Sequence, residues 1–376
     1  MDKKIHIVFS GNTAWGMYTF RGKMLNHYAK KVKVTVIAPR DDVYSEKLKE
    51  LGCNVVDIGI QSKGRNPLVD FLLTLKYLKL FRSLKPDLSI TYTIKPNIYA
   101  SIAARVLGIS FLPVTTGLGY IFLHNNLTSL VAKGLYKLAF HKAKQVWFLN
   151  IDDMEMFKKS GLVDEDKIRL LHGEGIDTDS FSLTPLCDDS RTFEFLLFGR
   201  MLADKGLYEY VDAARIVKKK YPNVQFLLLG PIWKENPTAI SEEQMSSWSS
   251  EGIVNYLGAT DDVREFIRQA DCVVLPSYRE GIPFSLMEGA SMGRPLIATD
   301  IPGCRDVVID GKTGYLCEVK DAKSLANAMG KMLALTPNQR KEMGLAGREY
   351  MVREFDIKQI IRQYDSFIEK VLKIKL

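Results

Sequence analysis

Two carboxylates stand eight residues apart in the stretch Glu280-Gly-Ile-Pro-Phe-Ser-Leu-Met-Glu288, which follows the apolar run Cys272–Pro276. A glycine and a proline inside the stretch force the backbone to turn, so that a helix begins at about Ser285. The free N–H groups of such a helix start, together with the positive end of the helix dipole, can seat a phosphate or a sugar oxygen. Glu280 would reach this seat from the loop, and Glu288 from the first helical turn.

A purely structural interpretation of the same residues is also open. Ser285 at an N-cap and Glu288 three residues later form a capping box, in which Glu288 closes its own helix. The location favours chemistry, because open α/β sheets bind ligands beyond the carboxyl ends of their strands. Tyr278 and Arg279 add polar groups immediately before Glu280.

A pair of cations marks a second junction between a strand and a helix. Arg200 follows the strand-like run Phe193–Phe198, and Lys205 stands just before a helix that begins at about Leu207. Two cations and the free N–H groups of a helix start can hold a diphosphate between them. Loops with two basic residues are common, so this pattern alone does not identify a function.

The elements that must position these residues alternate along the chain. Within the first 170 residues, short apolar runs typical of strands are separated by segments with helical periodicity. The runs are Ile5–Ser10, Val34–Ala38, Asn54–Ile58, Leu88–Tyr92, Leu112–Thr116, Gln145–Leu149 and Ile168–Leu171. This alternation predicts an α/β fold with a parallel sheet and helices on both faces.

A second series of strands and helices begins at Phe193. Its predicted strands are Phe193–Phe198, Val224–Gly230, Val254–Gly258 and Cys272–Pro276, and its predicted helices include Ser241–Ser250, Asp261–Ala270, Asp321–Leu335 and Pro337–Arg353. A chain of 376 residues is too long for one ordinary core, so we expect two domains. The last amphipathic run, Ile357–Leu372, has no place on a second sheet that is already covered.

Several classes of protein are disfavoured by what the sequence lacks. The loop after the first strand, Gly11–Gly16, is not a Gly-x-Gly-x-x-Gly fingerprint, which argues against a nicotinamide enzyme. Five scattered cysteines without a Cys-x-x-Cys pair indicate reduced core thiols in a cytosolic protein. The chain starts without a signal-peptide core, and no apolar run reaches about 18 residues, so we expect no membrane span.

The charge of the chain is concentrated in its first part. Residues 1–150 contain 22 Lys and Arg against 8 Asp and Glu, although the net charge of the whole chain is +8. A basic half favours an anionic partner, which can be nucleic acid, an anionic membrane or a phosphorylated substrate.

Two segments concentrate this positive charge on helical stripes. Pro67–Lys85 and Leu127–Lys144 are apolar on one side and basic on the other, with the basic residues Lys76, Lys79, Arg82 and Lys85 in the first and Lys133, Lys137, His141 and Lys144 in the second. Basic amphipathic helices suit the surface of an anionic bilayer, but a core-facing helix with a lysine-lined outer side has the same pattern. Neither segment interleaves aromatic with basic residues for base stacking, so nucleic acid is the less favoured partner.

The C-terminal half resembles a known family. The Glu280-x7-Glu288 stretch is followed by Gly289-Ala-Ser-Met-Gly-Arg-Pro-Leu-Ile-Ala-Thr299, then by Gly303-Cys-Arg-Asp306 and Gly311-Lys-Thr-Gly-Tyr-Leu316. With the Gly199-Arg200 and Lys205-Gly206 pairs, these motifs resemble the retaining GT-B glycosyltransferases of family 4. Within that family, the chain is most similar to bacterial polysaccharide and N-glycan enzymes that add an N-acetylhexosamine to a lipid-linked sugar. The resemblance extends over nearly the whole chain but is more specific in the C-terminal half.

The resemblance implies two Rossmann-like domains that face each other across a cleft. The implied boundaries are an acceptor-binding domain at 1–183, a linker at 184–192, a nucleotide-sugar-binding domain at 193–356 and a helix at 357–376 that crosses back to the first domain. In this architecture, Asp177-Thr-Asp179 belongs to the element that enters the linker. On the residues alone, the same two carboxylates could hold Mg²⁺ or Mn²⁺.

The resemblance also implies roles for individual residues. Glu280, Arg200 and Lys205 would be catalytic, with no metal site and no cofactor. The donor would be bound by Arg200, Lys205, Glu280, Gly281, Ile282, Pro283, Phe284, Ser285 and Glu288. The acceptor or cleft loops would contain Gly11, Asn12, Thr13 and Lys95, with Lys95 near the diphosphate of the acceptor. Arg21, expected near the start of the first helix, is placed either at the cleft or on the surface.

The implied activity is the retaining, metal-independent transfer of GlcNAc or GalNAc from a UDP-sugar to a polyprenyl-diphosphate-linked sugar. The implied location is the inner face of the cytoplasmic membrane, with the basic N-terminal domain on the anionic surface. Two alternatives stay open: a nucleotide-sugar epimerase on the same fold, and a non-catalytic homologue that binds a nucleotide-sugar.

Overall fold

The structure is a computed structural model that describes residues 4–60, 67–117, 127–186 and 191–376. The chain forms two compact units, of which the first comprises Met1–Gly175 with Ile357–Leu376 and the second Ile176–Asp356. This division assigns residues 176–183 to the second unit, whereas the sequence analysis assigned them to the first domain. Each unit is built on its own parallel sheet.

The first unit contains a seven-stranded parallel sheet in the order β3-β2-β1-β4-β5-β6-β7. The strands are β1 (His6–Ser10), β2 (Lys33–Ile37), β3 (Asn54–Val56), β4 (Leu88–Tyr92), β5 (Ser110–Thr115), β6 (Val146–Phe148) and β7 (Ile168–Leu170). All seven predicted strands are therefore present. Every residue of β1 and β4 is buried, as expected for central strands that helices cover on both faces.

The helices of the first unit connect these strands. They are α1 (Ala14–Ala29), α2 (Tyr44–Glu50), α3 (Pro67–Leu84), α4 (Ser101–Val106), α5 (Leu127–Phe140) and α6 (Ile151–Lys159), with a π-helical turn at Pro96–Ala100 directly before α4. Helix α4 packs against both α3 and α5. These three helices therefore form one layer on the sheet, as right-handed crossovers between parallel strands require.

The helix that follows the second unit belongs to the first, as the resemblance implied. Helix α14 (Ile357–Leu372) buries five residues spaced as on one helical face: Ile357, Ile360, Tyr364, Phe367 and Ile368. The Tyr364 ring centroid lies 4.6 Å from that of Trp147 on β6, and its hydroxyl lies 3.0 Å from that of Tyr92 on β4. This apolar stripe completes the core of the first unit.

Arg21 is neither on the surface nor at the start of a helix, which corrects the sequence analysis. It lies in the second turn of α1, is 5% exposed, and forms a buried ion pair with Glu174. Its guanidinium carbon also lies 4.0 Å from the centroid of the Tyr92 ring. A buried cation needs such partners, because an unpaired charge in the core costs several kcal/mol. The pair fixes the segment before Gly175 to the core of the first unit.

The second unit contains a six-stranded parallel sheet in the order β10-β9-β8-β11-β12-β13. The strands are β8 (Glu194–Phe198), β9 (Gln225–Leu229), β10 (Asn255–Tyr256), β11 (Cys272–Leu275), β12 (Leu296–Thr299) and β13 (Gly314–Cys317). The first four were predicted. Strands β12 and β13 fall within motifs that the sequence analysis quoted for the family resemblance and did not assign as strands.

The helices of the second unit lie between these strands and after them. They are α7 (Leu207–Lys218), α8 (Glu242–Ser250), α9 (Arg264–Gln269), α10 (Phe284–Ser291), α11 (Cys304–Val307), α12 (Ala322–Ala334) and α13 (Pro337–Tyr350). Helix α13 begins with a capping box formed by Thr336 and Gln339.

The start of the predicted linker is held by the second unit. Arg294 is fully buried and donates from Nη2 to the carbonyl oxygens of Thr184 and Pro185, at 3.2 and 3.0 Å. The middle of the linker, 187–190, lies outside the described residues. Nearby, Asp177 accepts a hydrogen bond from the backbone N–H of Ser180, which is the turn-forming role expected for the structural interpretation of this segment.

Two further expectations can be compared with the described parts of the chain. Cys53, Cys272, Cys304 and Cys317 are buried free thiols, and burial raises the pKa of each. Cys187 lies outside the described residues. None of the helices in the described ranges is long and apolar enough to cross a bilayer.

Candidate active site

The predicted donor residues of the second unit meet where its strand order reverses. The chain places β9 and β10 on one side of β8, and β11, β12 and β13 on the other. Arg200 and Lys205 follow β8, and Glu280 follows β11, so all three lie at the carboxyl edge beside this reversal. Ligands of open α/β sheets bind in the crevice at such a point.

A glycine allows the two loops to approach each other closely. Gly206 has a φ of 74°, and a Cβ on it would lie 2.0 Å from the carbonyl oxygen of Pro276. Beside it, the N–H of Tyr278 donates to the carbonyl oxygen of Asp204 at 2.9 Å, and the Ser277 hydroxyl donates to the same oxygen at 3.1 Å. The backbone contacts therefore fix the loop after β8 to the loop after β11.

An ion pair joins the two sequence motifs within this crevice. Lys205 donates from Nζ to the carboxylate of Glu280, and the two side chains are 21% and 11% exposed. Both side chains are therefore accessible to a ligand. They are also buried enough that their electrostatic interactions are stronger than they would be in water. The residues assigned to a diphosphate and to a sugar lie within reach of one small molecule.

Glu288 does not close its own helix, so the capping-box interpretation is wrong. Helix α10 begins at Phe284, its N-cap is Pro283, and no side chain caps it. Within the described ranges, no hydrogen bond or ion pair involves the Glu288 carboxyl group. Burial raises the pKa of Glu288 to about 8. Near neutral pH this group is therefore mostly a neutral acid, which can both donate to and accept from a pair of hydroxyl groups.

Two further side chains lie near these residues: Trp233, which sequence reasoning missed, and Arg279, which it noted only as a polar group before Glu280. Trp233, in the segment after β9, is 40% exposed, and the Arg200 guanidinium carbon lies 5.2 Å from its ring centroid. Arg279, between Tyr278 and Glu280, has a buried Nη1 atom without a hydrogen-bond partner in the described structure. The signal that could have identified Trp233 was a large aromatic residue in a polar insertion.

Neighbouring elements hold the Glu280 loop in place. The Tyr278 hydroxyl donates to the Glu209 carboxylate on α7, with distances of 2.8 and 2.9 Å to its two oxygens. The Thr299 hydroxyl donates to the carbonyl oxygen of Ser277 at 2.5 Å. A Cβ on Gly303 would lie 2.0 Å from the carbonyl oxygen of Gly281, so the start of α11 also packs directly on this loop. Two elements therefore hydrogen-bond to the site loop, and a third packs against it.

The predicted acceptor residues of the first unit lie at the corresponding reversal of its own sheet. Strands β1 and β4 are neighbours, with β2 and β3 on one side and β5, β6 and β7 on the other. Gly11, Asn12 and Thr13 follow β1, and Lys95 follows β4. The structure thus brings the two predicted loops to one crevice of the first unit.

The loop with Lys95 has unusual backbone geometry. Thr93 has a φ of 67°, which is rare for a β-branched residue, and a π-helical turn begins at Pro96. Both features concentrate at functional sites. Lys95 is half-buried and forms an ion pair with Asp70 on α3 at 2.8 Å. Asp70, which the sequence analysis did not single out, is therefore part of the environment of Lys95.

The loop after β1 also has structural tasks. Thr13 caps α1 by accepting a hydrogen bond from the Gly16 N–H at 3.0 Å. A Cβ on Gly11 would lie 2.5 Å from the sulfur of Met17, so a side chain there would displace that methionine. Asn12, between Gly11 and Thr13 in the sequence, is half-buried.

A pocket of about 720 Å³ lies elsewhere in the second unit. It is lined by 183–186, Asp271, Gly293 and the first half of α13. None of the candidate donor residues borders it. Volume alone therefore does not locate the chemistry of this unit, which we place from the motifs and the strand order.

Comparisons with known families cover most of the chain. A family model described as group 1 glycosyl transferases matches residues 192–334. A second, described as glycosyl transferase 4-like, matches residues 6–150. The two models fall on the two units separately, and together they include the strands that carry the candidate sites.

Individual relatives agree with the family models. N,N'-diacetylbacillosaminyl-diphospho-undecaprenol alpha-1,3-N-acetylgalactosaminyltransferase of Campylobacter jejuni is 28% identical, covering 98% of this chain and 100% of the relative. A capsular polysaccharide biosynthesis glycosyltransferase of Staphylococcus aureus is 25% identical, covering 81% of this chain and 82% of the relative. Anabaena HepE, in a crystal structure with UDP and glucose, matches with a TM-score of 0.79 at 17% identity, covering 97% of this chain and 100% of that one.

The fold and the matched models define a two-domain enzyme of the GT-B type. The chain belongs to the glycosyltransferases.

Proposed function

We propose that this enzyme transfers GalNAc or GlcNAc from a UDP-sugar to a polyprenyl-diphosphate-linked sugar. The observation that carries the proposal is the ion pair between Lys205 and Glu280 at the strand-order reversal of the second unit. Arg200 lies on the same loop as Lys205, and Glu288 lies on the helix that follows Glu280. The acceptor class is supported by the Campylobacter relative, whose name specifies a diphospho-undecaprenol substrate. An Escherichia coli relative, 26% identical, is named as a UDP-Gal transferase to GlcNAc-diphosphoundecaprenol.

The donor would leave as a nucleoside diphosphate, so the enzyme must stabilise negative charge on the leaving oxygen. Arg200 and Lys205 supply two cations on one loop. The first N–H groups of α10, at Phe284 and Ser285, supply donors and the positive end of a helix dipole. Gly281, Ile282 and Pro283 shape the turn that presents those N–H groups. We assign this charge stabilisation to the protein and propose that no metal is required.

The two carboxyl groups would recognise the two sugars of the donor. Glu280 would accept hydrogen bonds from hydroxyls of the transferred sugar, and its pairing with Lys205 supports a position beside the diphosphate. Glu288, half-buried and mostly neutral near neutral pH, would bind the ribose hydroxyls. Transfer with retention would then follow front-face attack by the acceptor hydroxyl, with a donor phosphate oxygen taking its proton.

The acceptor would bind the first unit. We propose that Gly11, Asn12, Thr13 and Lys95 form its loop site, with Lys95 near the acceptor diphosphate. If Lys95 bound a phosphate group of the acceptor in place of Asp70, its positive charge would still be paired with a negative one. A lipid-linked acceptor also implies a membrane location, which we place at the inner face of the cytoplasmic membrane, with the basic residues of α3 and α5 on the anionic surface.

The test combines nucleotide binding with transfer. UDP, GDP and ADP are compared by the rise in melting temperature that each causes, because a ligand of the native state stabilises it. We expect a rise with UDP that is lost in Lys205→Ala and kept in Lys323→Ala, a control on the exposed side of α12. Transfer is then measured with UDP-GalNAc and UDP-GlcNAc on a synthetic polyprenyl-diphosphate sugar.

Each result of this test has a definite meaning. UDP binding without transfer to any lipid-linked acceptor would replace the proposal by a non-catalytic homologue. Conversion of the UDP-sugar to its epimer would replace it by an epimerase. A rise with GDP in place of UDP would overturn the donor assignment, and an active Lys205→Ala enzyme would overturn the diphosphate site.

A further inference from the structure

Arg279 carries a buried hydrogen-bond donor that no described residue satisfies. Its Nη1 atom is enclosed by the protein and forms no hydrogen bond within the described ranges, while the side chain as a whole is half-buried. Burying an N–H group without a partner is unfavourable, and more so when the group is charged. A donor of this kind in a folded protein needs an explanation, and a ligand that binds there is one.

The neighbours of Arg279 on the site loop already have partners. The Tyr278 hydroxyl donates to Glu209 on α7, and the Glu280 carboxylate accepts from Lys205 just before α7. Arg279 stands between these two residues, at the carboxyl edge of β11. It is therefore a cation directly beside the carboxylate that we assign to the transferred sugar.

The acids around this loop do not neutralise Arg279. Among the residues that the structure describes, no carboxylate forms an ion pair with its guanidinium. The acids on the adjoining loops and helix starts bond to other groups: Glu280 to Lys205, Glu209 to Tyr278, Asp204 to the Thr238 hydroxyl, Asp300 to Arg305, and Asp306 to the Gly303 N–H.

Arg200 is a second cation of this kind. It lies over the Trp233 ring, and in the described part of the chain it pairs with no acid. Arg200 belongs to the loop after β8 and Arg279 to the loop after β11, and backbone hydrogen bonds join these two loops. The crevice thus has two guanidinium charges that the described residues leave unbalanced. A nucleotide-sugar carries a negative charge on each of its two phosphate groups, so the charges match.

We propose that Arg279 binds the phosphate group of the donor to which the transferred sugar is attached. A guanidinium donates two parallel hydrogen bonds to phosphate oxygens, which would satisfy the buried Nη1 atom. The neighbouring residue decides which phosphate: Glu280 is assigned to the transferred sugar, and that sugar is bonded to the terminal phosphate of the nucleotide. The inference rests on the proposed function for its nucleotide-sugar donor.

The diphosphate of the acceptor offers the same chemistry. The donor is favoured because Arg279 lies in the second unit, on the loop bonded to the one that carries Arg200 and Lys205. The residues proposed for the acceptor diphosphate belong to the first unit. The two sources are separated below by transfer kinetics.

The first measurement is the melting temperature without ligand. Arg279→Met keeps much of the length of the side chain and removes the unsatisfied donor, so the variant should melt at the wild-type temperature or about 1–3 °C higher. The control is Arg305→Met, because Arg305 is 43% exposed and pairs with Asp300 at 2.9 Å. A clear fall for Arg279→Met with unchanged UDP affinity would overturn the proposal, since Arg279 would then have a partner within the protein.

Calorimetric titration with UDP, UMP and uridine measures the phosphate contact. Arg279→Met should bind UDP at least about tenfold more weakly than the wild type, and UMP and uridine within about twofold of it. Arg305→Met should match the wild type for all three. Arg279→Lys retains the charge without the planar fork and should be intermediate for UDP. Equal losses for UDP, UMP and uridine would overturn the proposal in favour of a distorted loop.

Transfer kinetics with a short-chain, water-soluble acceptor separate the two diphosphates. Arg279→Met should raise the KM for the donor and leave that for the acceptor unchanged, and a rise confined to the acceptor would overturn the donor assignment. A wild type that binds UDP and transfers sugar, with Arg279→Met behaving identically, would contradict only the role of Arg279. A wild type that binds no nucleoside diphosphate would contradict the proposed function as well.

Discussion

At the residue scale, the second unit holds the half-buried carboxyl group of Glu288, which pairs with no cation within the described ranges. Burial raises the pKa of Glu288 to about 8, far above the usual range of glutamic acid. The folded protein therefore retains a proton there that the unfolded chain has already released. Between about pH 5 and pH 8, folding must bind that proton, so this residue makes the protein less stable as the pH rises.

Replacing Glu288 should remove this dependence. Glu288→Gln keeps the shape of the side chain but cannot ionise. The variant should therefore not lose the part of the protein's stability that depends on protonation of Glu288 as the pH rises. As the pH rises from 5.5 to 8, the melting temperature of the wild type should fall relative to that of the variant by about 4 °C. Differential scanning calorimetry at constant ionic strength measures it. An equal slope for both proteins would show that the carboxyl group is already ionised at low pH.

Trp233 provides a prediction about Arg200. The ring lies 5.2 Å from the guanidinium carbon and restricts where the cation points. A contact of this kind at an exposed site contributes about 0.5–1 kcal/mol. In Trp233→Ala, the KM for the donor should rise about threefold with kcat nearly unchanged, and Trp233→Phe should recover most of the loss. A fall in kcat at constant KM would assign Trp233 to the chemical step.

The sequence located Glu280 and Lys205 because their spacing relative to strand ends and glycines is local information. It did not decide between ligand binding and helix capping for Glu288, because the choice depends on whether α10 begins one residue earlier, at Phe284. It could not place Arg21 either. The buried partner of that arginine, Glu174, is 153 residues away, and the ring that covers it belongs to Tyr92.

At the scale of the elements, two loops are held together by a backbone contact that only glycine permits. Gly206 and Gly252 have almost the same positive φ, 74° and 71°, but only Gly206 faces another backbone atom within 4 Å of an added Cβ. They form a matched pair of sites for substitution. Both changes strain the backbone, and only one also forces the loop after β8 away from the loop after β11.

The pair yields a quantitative expectation. Gly252→Ala should cost about 1 kcal/mol of unfolding free energy and leave UDP binding unchanged. Gly206→Ala should cost about 3–5 kcal/mol and weaken UDP binding at least tenfold, because the Cβ collides with the Pro276 carbonyl. Urea denaturation and a UDP titration of each variant measure both effects. Equal behaviour of the two variants would mean that the loop contact has no role in binding.

Sequence patterns predicted the elements well where a strand or helix contains its own signal. The seven strands of the first sheet and the terminal helix are long or apolar enough to stand out. Strands β12 and β13 lie inside glycine-rich motifs, so their composition did not identify them as strands. The π-helical turn after Lys95 and the positive φ of Thr93 depend on tertiary packing and have no local signature.

At the scale of the whole molecule, the chain leaves the first unit at Gly175 and returns to it at Ile357. Helix α14 then fills a gap in the core of the first unit, where Tyr364 packs on Trp147 and meets Tyr92. Tyr364→Ala should therefore destabilise the first unit by about 3–5 kcal/mol. The second unit, which α14 does not belong to, should keep its own stability and its response to UDP.

This prediction has a nearby control. Gln363 precedes Tyr364 on the same helix and is exposed, so Gln363→Ala should change the stability little. Hydrogen exchange followed by mass spectrometry reports the two units separately. Increased exchange in β4 and β6 with unchanged exchange in β8 and β11 is the expected result for Tyr364→Ala, and equal increases in both units would contradict it.

The return of the chain to its first unit also sets an order of events during synthesis. The second unit is continuous in sequence, so all of its strands have left the ribosome before α14 is made. The first unit is discontinuous, and its core lacks the Tyr364 side chain until α14 is translated. We expect a nascent chain that stops at Asp356 to carry a folded second unit and a first unit that is open to proteases and chaperones. Translation of the first unit thus begins before that of the second unit, but the core of the first unit is completed after the second unit has been translated.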